Sequence, residues 1–269
     1  MKPQGSHAPF LDEIMQYVSF ASGSGGNCAL LRGGGVNLLI DAGISTKRIR
    51  TALREWGLDL SDIAGILVTH EHSDHVGGLK VLTKNFDTRV YATAGTADAL
   101  LRAEACKKEN LRILPTSAGL NLGELCIRPV PLPHDAAEPV GYRIEGEKSA
   151  MAVLTDLGVL TDTVLNAARG CRFAVVETNH DVEMLKYGPY APNLKRRILS
   201  DRGHLCNEAG AELVFHLAES GASEVLLGHL SAENNTPELA MRAVERRVGR
   251  NLRVAVAPRS TYSHEIILD

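Results

Sequence analysis

The stretch Thr69-His70-Glu71-His72-Ser73-Asp74-His75-Val76-Gly77-Gly78 constrains this chain more than any other. Three imidazoles and two carboxylates fall within six residues, directly after the apolar run Ile66-Leu67-Val68. Crowded histidines repel one another when protonated, and carboxylates held near a core cost stability without a positive partner. A divalent metal supplies that charge and takes neutral imidazole and carboxylate as ligands. A buried strand running into such a sequence holds the ligands on a rigid base, which a metal site requires.

The rest of the chain allows a large α/β core around that stretch. It has 269 residues, 44% hydrophobic and 23% charged, which suits one large domain or two small ones. Aromatics at 4% do not support a broad base-stacking surface, and a net charge of -3 gives no global signal for nucleic acid, though a local basic patch remains open. No apolar run approaches the roughly 20 residues of a membrane span. Five scattered cysteines (28, 106, 126, 171 and 206) without CxxC spacing point away from a disulfide framework and toward a reducing, cytoplasmic compartment. Residues 1–15, with Gly5-Ser6-His7, read as a disordered leader, and 16–269 as a single domain.

Taken in order, the pattern predicts strands over 16–20, 28–31 and 36–40, the last two joined through Gly33-Gly34-Gly35. Ser45 caps a helix with Ile49, Leu53 and Trp56 on one face, and Gly57 stops it. Asp41, at a strand end, reads equally as a turn residue or as a carboxylate supporting the ligands. The run 64–68 is a strand buried on both faces, Gly77-Gly78 opens a helix, a strand follows at 89–92, and Thr93 caps the next helix. The segment up to Leu125 reads as irregular. Strands at 126–130, 140–145, 150–154 and 173–177 come next, then a basic proline-containing stretch from Lys186 to His204. Asn207 is expected to cap a long helix, Pro237 to start the last one, and strands at 223–227, 252–257 and 262–268 to complete two comparable halves. His216, inside a helix, and His264, inside a strand, read as structural.

Seven of the ten histidines, at 70, 72, 75, 134, 180, 204 and 229, fall at or just after strand ends, as do Asp74 and Asp156. So many ligands suit two divalent ions about 3.5–4 Å apart that share a hydroxide and clamp a phosphodiester oxygen, with Asp156 the candidate bridging carboxylate.

His70-x-His72-x-Asp74-His75, His134, Asp156 and His229, in that order, resemble the metallo-β-lactamase fold hydrolases. Ser22-Gly23-Ser24-Gly25-Gly26-Asn27-Cys28, Thr155-Asp156-Leu157-Gly158, Glu177-Thr178-Asn179-His180-Asp181, Leu194-Lys195-Arg196-Arg197-Ile198 and Gly203-His204-Leu205-Cys206-Asn207 resemble, more narrowly, the YycJ/WalJ group of exonucleases. Cys206 stands where that group usually has Ser. The resemblance implies a four-layer αβ/βα sandwich of two mixed β-sheets flanked by helices. It implies His70, His72 and His134 on one metal, Asp74, His75 and His229 on the other, and Asp156 between them. The metals would be zinc or manganese, with iron as a further option, and loss of any ligand would cost metal and activity.

Hydrolysis would use a metal-bound hydroxide, with Asp74, His180 and His204 as candidate catalytic side chains and either histidine as proton donor. Lys195, Arg196, Arg197 and Arg202, with His204 and the loop residues Ser22, Ser24 and Asn27, are candidates for binding substrate phosphate. The expectation is a 5′→3′ exonuclease on DNA, engaging a 5′ end and no membrane. A thioester or lactone hydrolase of the same superfamily, or a non-enzymatic metal-stabilised signalling partner, are the rival readings.

Overall fold

In the computed structural model, which describes residues 14–249 and 252–268, alternation along the strands decides the layering. Strands β1 (Met15–Ala21), β2 (Cys28–Gly33) and β3 (Val36–Ile40) form an antiparallel meander. Helix α1 (Thr46–Glu55), capped by the Ser45 hydroxyl as expected, leads to β4 (Gly65–Leu67), which lies parallel to β3. Two short helices, α2 (Ser73–Val76) and α3 (Leu79–Asn85), precede β5 (Val90–Ala92), and α4 (Ala94–Arg102) precedes β6 (Leu111–Ile113). The second half repeats the scheme. Strands β7 (Leu120–Leu122), β8 (Leu125–Pro131), β9 (Val140–Glu145) and β10 (Ala150–Leu154) form an antiparallel meander. Then α5 (Asp162–Ala168), β11 (Phe173–Glu177), α6 (Val182–Tyr187), α7 (Pro192–Ile198), α8 (Asn207–Glu219), β12 (Glu224–Gly228), α9 (Pro237–Val248) and β13 (Arg253–Val256) follow. Strand β14 (Ile266–Leu268) returns to pair with β1.

Among the described residues there are two seven-stranded sheets, ordered β14-β1-β2-β3-β4-β5-β6 and β13-β12-β11-β10-β9-β8-β7. Both switch from antiparallel to parallel pairing midway, at β3–β4 and at β10–β11. Met15, Tyr17, Leu38 and Leu67 of the first sheet face Tyr142, Met151, Phe173 and Val175 of the second across a central core. Val18, Phe20, Leu39 and Ile66 point the other way, onto α1, α3 and α4. Ala152, Leu154, Ala174 and Val176 likewise point outward onto α5, α8 and α9. Two sheets buried on both faces need helices outside each, and the result is the expected four-layer arrangement. The Tyr142 hydroxyl donates to the Val68 carbonyl at 2.6 Å, tying the two sheets together directly beneath the histidine-rich stretch. No described helix is long and apolar enough to cross a membrane.

Several local expectations need correction. The segment read as irregular holds β6 and β7, three-residue strands too short to show a period and fixed by pairing with β5 and β8. The basic stretch after His180 forms α6 and α7, started by the Asp181 side chain (2.8 Å to Met184 N) and by Pro192 at the first helical turn. Helix α5, not expected from the sequence, is started by the Thr161 hydroxyl, which accepts from Val164 N at 3.3 Å. The last strand is confined to Ile266–Leu268, so His264 sits in a loop, paired with Glu224 at 2.6 Å. His216 is structural, bonding the Leu165 carbonyl at 3.1 Å. Met15 already belongs to β1; the expected leader up to residue 13 lies outside the described residues.

Helix α8 is capped by Cys206, not Asn207, whose amide is buried and bonds Asn235 at 2.9 Å. Cys206 forms no cap hydrogen bond through its side chain. Cys206→Ser is therefore expected to raise stability by about 1 kcal/mol, read as an upward shift of the urea midpoint at unchanged slope. A lower midpoint would show that the thiol's packing outweighs the missing cap.

Candidate metal centre and cleft

The candidate ligands come from the carboxyl ends of strands at the two points where pairing changes direction, the usual place for a site in such sheets. The ends of β3 and β4 bring Asp41 and the 69–75 stretch. The ends of β8, β10, β11 and β12 bring His134, Asp156, Glu177 and His229. Asp41, Asp156 and His229 have φ of 59°, 65° and 56°. Left-handed backbone at non-glycine residues costs on the order of 1 kcal/mol or more each, and it turns each side chain out of its strand toward a common point.

The imidazoles are oriented from behind. His134 Nδ1 donates to the Gly203 carbonyl at 3.0 Å, and His75 Nδ1 to Asp41 Oδ2 at 2.7 Å. His229 Nδ1 lies 3.1 Å from Glu177 Oε1. The Thr69 hydroxyl donates to Asp41 Oδ2 at 2.9 Å and sits 3.1 Å from His70 Nδ1. Anchoring one ring nitrogen fixes the tautomer and leaves the other as a free lone pair, the arrangement of a metal-ligating histidine. Asp41 is thus a supporting carboxylate.

The freed atoms converge. His72 Nδ1 lies 3.0 Å from His70 Nε2 and 3.4 Å from His134 Nε2. Two nitrogens each about 2.05 Å from one tetrahedral ion stand about 3.3 Å apart. Asp74, His75 and His229 form a second triad, with Asp74 Oδ2 at 3.5 Å from the Nε2 atoms of both histidines. Asp156 spans the two: Oδ2 is 3.3 Å from His75 Nε2, and Oδ1 is 3.4 Å from His229 Nε2 and 4.0 Å from His134 Nε2. Asp156 Oδ2 is buried without a hydrogen-bond donor. A buried carboxylate oxygen so placed calls for a cation, and the donor set fits divalent metal.

Charge balance makes the same point. Burial alone would lower the pKa of His229, but the Asp156 charge and the bonds to Asp74 and Glu177 push it up to about 10. Burial likewise opposes the charging of His75, and Asp156 with Asp41 overrides it, holding the ring well above its usual value. His70 goes the other way, well below, through burial and its histidine neighbours. Asp74 and Glu177 ionise far below the ordinary carboxylate range, because hydrogen bonds and charge from the histidines outweigh their burial. Without metal, the surrounding carboxylates thus favour the protonated forms of His75 and His229, whose protons a divalent ion must displace. We expect metal addition to release protons and apparent affinity to rise with pH, by up to about tenfold per unit for each proton displaced. The sign for the metal-free protein is opposite. The stability that His229 contributes is fully present below pH 6.5 and lost as pH rises toward 10. Calorimetric titration in two buffers of different ionisation enthalpy reads the protons; pH-independent affinity would refute this balance.

Glu177, given no role in the sequence reading, is central: Oε1 accepts from His204 Nδ1 at 2.7 Å and from His229 Nδ1, while Oε2 accepts from the Leu157 and Leu205 amides at 3.0 and 3.2 Å. Its signal was an acidic residue closing a buried strand. The cleft over the site, about 250 Å³, is lined by His72, Asp74, Asp156, His204 and His229 and closed by Tyr190, Leu194 and Arg197 of the turn before α7 and α7 itself.

The other candidates divide. His204 lines the cleft. His180 does not; it is buried, and desolvation draws its pKa down to about 4. Ser24 lines the cleft, whereas the Ser22 hydroxyl accepts from His229 N at 2.9 Å, and Asn27 Nδ2 bridges Gly23 O (3.1 Å) and the ligand loop (3.0 Å to His75 Nε2). Lys195 Nζ holds the Lys186 and Gly188 carbonyls, both at 2.8 Å, and Arg202 holds the His134 carbonyl at 2.9 Å. Arg197 grips Asp135 with two nitrogens yet still faces the cleft, and Arg196 is exposed.

Comparison with known proteins places this geometry. Residues 36–230 match the beta-lactamase superfamily domain. The chain is 36% identical over 231 residues to exodeoxyribonuclease YycJ of Bacillus anthracis, covering 86% of this chain and 88% of that one. It is 38% identical over 228 residues to exodeoxyribonuclease WalJ of Streptococcus pneumoniae, covering 84% and 85%. The crystal structure of the metallo-beta-lactamase fold protein YhfI from Bacillus subtilis superposes with a TM-score of 0.71 at 16% identity, over 94% of this chain and 100% of that one, a likeness of fold.

Proposed function

Since the chain belongs to the β-lactamase superfamily, we propose that it is a dinuclear metal-dependent phosphodiesterase that degrades DNA from the 5′ end. The observation that carries this reading is Asp156, its donorless Oδ2 buried between two ligand triads at the floor of a cleft with an arginine at its wall. The curated relatives, matched over most of their length, are named exodeoxyribonucleases.

His70, His72 and His134 would hold one divalent ion, Asp74, His75 and His229 the other, with Asp156 shared; zinc and manganese suit such a donor set. When bound, such ions supply Lewis acidity, lowering the pKa of water toward neutrality and offsetting charge on the phosphoryl oxygens. Arg197 and Ser24, on the cleft walls, orient the phosphate. His204, anchored by Glu177 through Nδ1, keeps Nε2 available to hold a proton and pass it to the departing oxygen. Leu194 and Ile198 narrow the cleft against water. At about 250 Å³ it falls below the roughly 300–1,000 Å³ of drug-sized ligand sites, which favours a strand end over an intact duplex.

The test is a nuclease assay with zinc, manganese and magnesium on 5′-phosphorylated and 5′-hydroxyl oligonucleotides, beside a thioester. Mononucleotide release from the 5′-phosphorylated strand is expected, weakening by about an order of magnitude or more between 50 and 200 mM salt. Salt-insensitive turnover, or thioester cleavage alone, would sink the reading.

A further inference from the structure

We propose that Tyr187-Gly188-Pro189-Tyr190, running from the last residue of α6 into the turn before α7, is a stacking platform for the unpaired bases of a single-stranded DNA end entering the cleft; this rests on the nuclease reading above. Tyr190 lines the cleft beside the ligands. Tyr187, three residues earlier, is 74% exposed, the largest exposure of any large apolar side chain described, and Lys186 Nζ stands 5.0 Å from its ring centre. No hydrogen bond engages either tyrosine hydroxyl among the described residues. The Lys186 ammonium takes one face of the Tyr187 ring, and at 74% exposure the ring still offers surface on which a base can stack.

The turn is also held rigid. A side chain at Gly188 would collide with the Asn234 side chain, at 2.6 Å, and with the Met184 backbone, so the turn sits hard on its support. Pro189 limits its torsions. Lys195 Nζ clamps the carbonyls of Lys186 and Gly188, both at 2.8 Å. The Asp181 amide, at the start of α6, donates to the Asn234 carbonyl at 2.9 Å. A platform fixed in advance loses little entropy on binding. This gives Lys195 a purpose other than contact with phosphate: it presents the two rings.

The occupant follows from charge and continuity. Lys186 lies over the Tyr187 ring, Arg197 lines the metal-ligand cleft together with Tyr190, and the exposed Arg196 adjoins Arg197 on α7. The two tyrosines are three positions apart, so their Cα atoms lie at most about 10 Å from each other, within the reach of two or three successive bases. Stacking is indifferent to base identity, so the platform admits any sequence at the strand end.

Anisotropy of a fluorescein-labelled single-stranded dT12 with hydrolysis-resistant phosphorothioate linkages, on the metal-loaded full-length protein, measures the platform without turnover. Tyr187→Ala and Tyr190→Ala are each expected to weaken binding roughly 5- to 100-fold. The Tyr→Phe variants are expected to restore it, because the ring stacks and the hydroxyl does not. Metal content of each variant, by elemental analysis, should match the wild type. With manganese, the alanine variants should raise KM for the unmodified oligonucleotide with little change in kcat. Wild-type affinity in both alanine variants, no rescue by phenylalanine, or no binding by the wild type would overturn the platform. Failure of the nuclease reading has a separate signature: the wild type binds the modified dT12 but hydrolyses neither its unmodified form nor bis(p-nitrophenyl) phosphate.

Discussion

Asp156→Ala is expected to lower phosphodiester turnover by at least about a thousandfold, a loss of ~4 kcal/mol of transition-state stabilisation, and to cut bound metal from two ions to one or fewer. The carboxylate touches both triads, Oδ2 toward His75 and Oδ1 toward His229 and His134. Its removal would therefore take a ligand from both proposed ions at once, where any histidine substitution would take one. It also removes the charge that most strongly raises the His229 pKa, so this ring gives up its proton at lower pH in the metal-free variant. Asp156→Asn keeps the shape and one neutral oxygen, and is expected to retain more metal than Asp156→Ala. Elemental analysis with steady-state kinetics checks both. Two ions per chain and activity within tenfold of the wild type in Asp156→Ala would remove Asp156 from the bridge.

The second large effect needs no ligand to change. Gly43 packs against the ligand stretch so closely that an added Cβ would fall inside the Asp74 carbonyl, with Asn27 N only 2.7 Å away. All of these neighbours are backbone and cannot rotate aside. Around Gly43, Asn27 N donates to Asp74 O at 2.7 Å, Ala42 N to His75 O at 2.8 Å and Gly78 N to Ala42 O at 2.7 Å, so the 41–43 turn is the floor on which α2 rests. Gly43→Ala is expected to destabilise the protein by about 3 kcal/mol and to displace Asp74 and His75 from their triad. The readout is a lowered unfolding midpoint together with loss of one metal ion, while His70, His72 and His134 still bind the other. A variant with wild-type midpoint and full metal content would show that the turn yields freely.

The layered fold was legible in the chain because its strands announce themselves. Runs such as 64–68 and 173–177 are apolar on both faces, and Ser45, Thr93 and Pro237 start helices where expected. What escaped was short or masked: β6 and β7 at three residues each, and α6 and α7, whose many cations and prolines read as a loop although Asp181 and Pro192 mark their starts. The candidate ligands could be named from the sequence because histidine and aspartate at strand exits have few other uses, while their division into two triads came from the resemblance to the metallo-β-lactamase hydrolases. Glu177 could not, since a single acid at a strand end looks like any turn residue until His204 and His229 close on it.

By itself, then, the sequence determined the pool of candidate metal ligands and the alternation that makes two sheets with helices outside. These depend on residue type and near-neighbour spacing, which the linear chain carries. Only the tertiary structure decided which ring nitrogen faces inward, that Asp156 reaches both triads, that Lys195 clamps a turn, and that Tyr190 joins a cleft lined from strand ends of both sheets. Those facts depend on distances between residues tens to hundreds of positions apart, and such distances exist only once the two sheets have packed face to face.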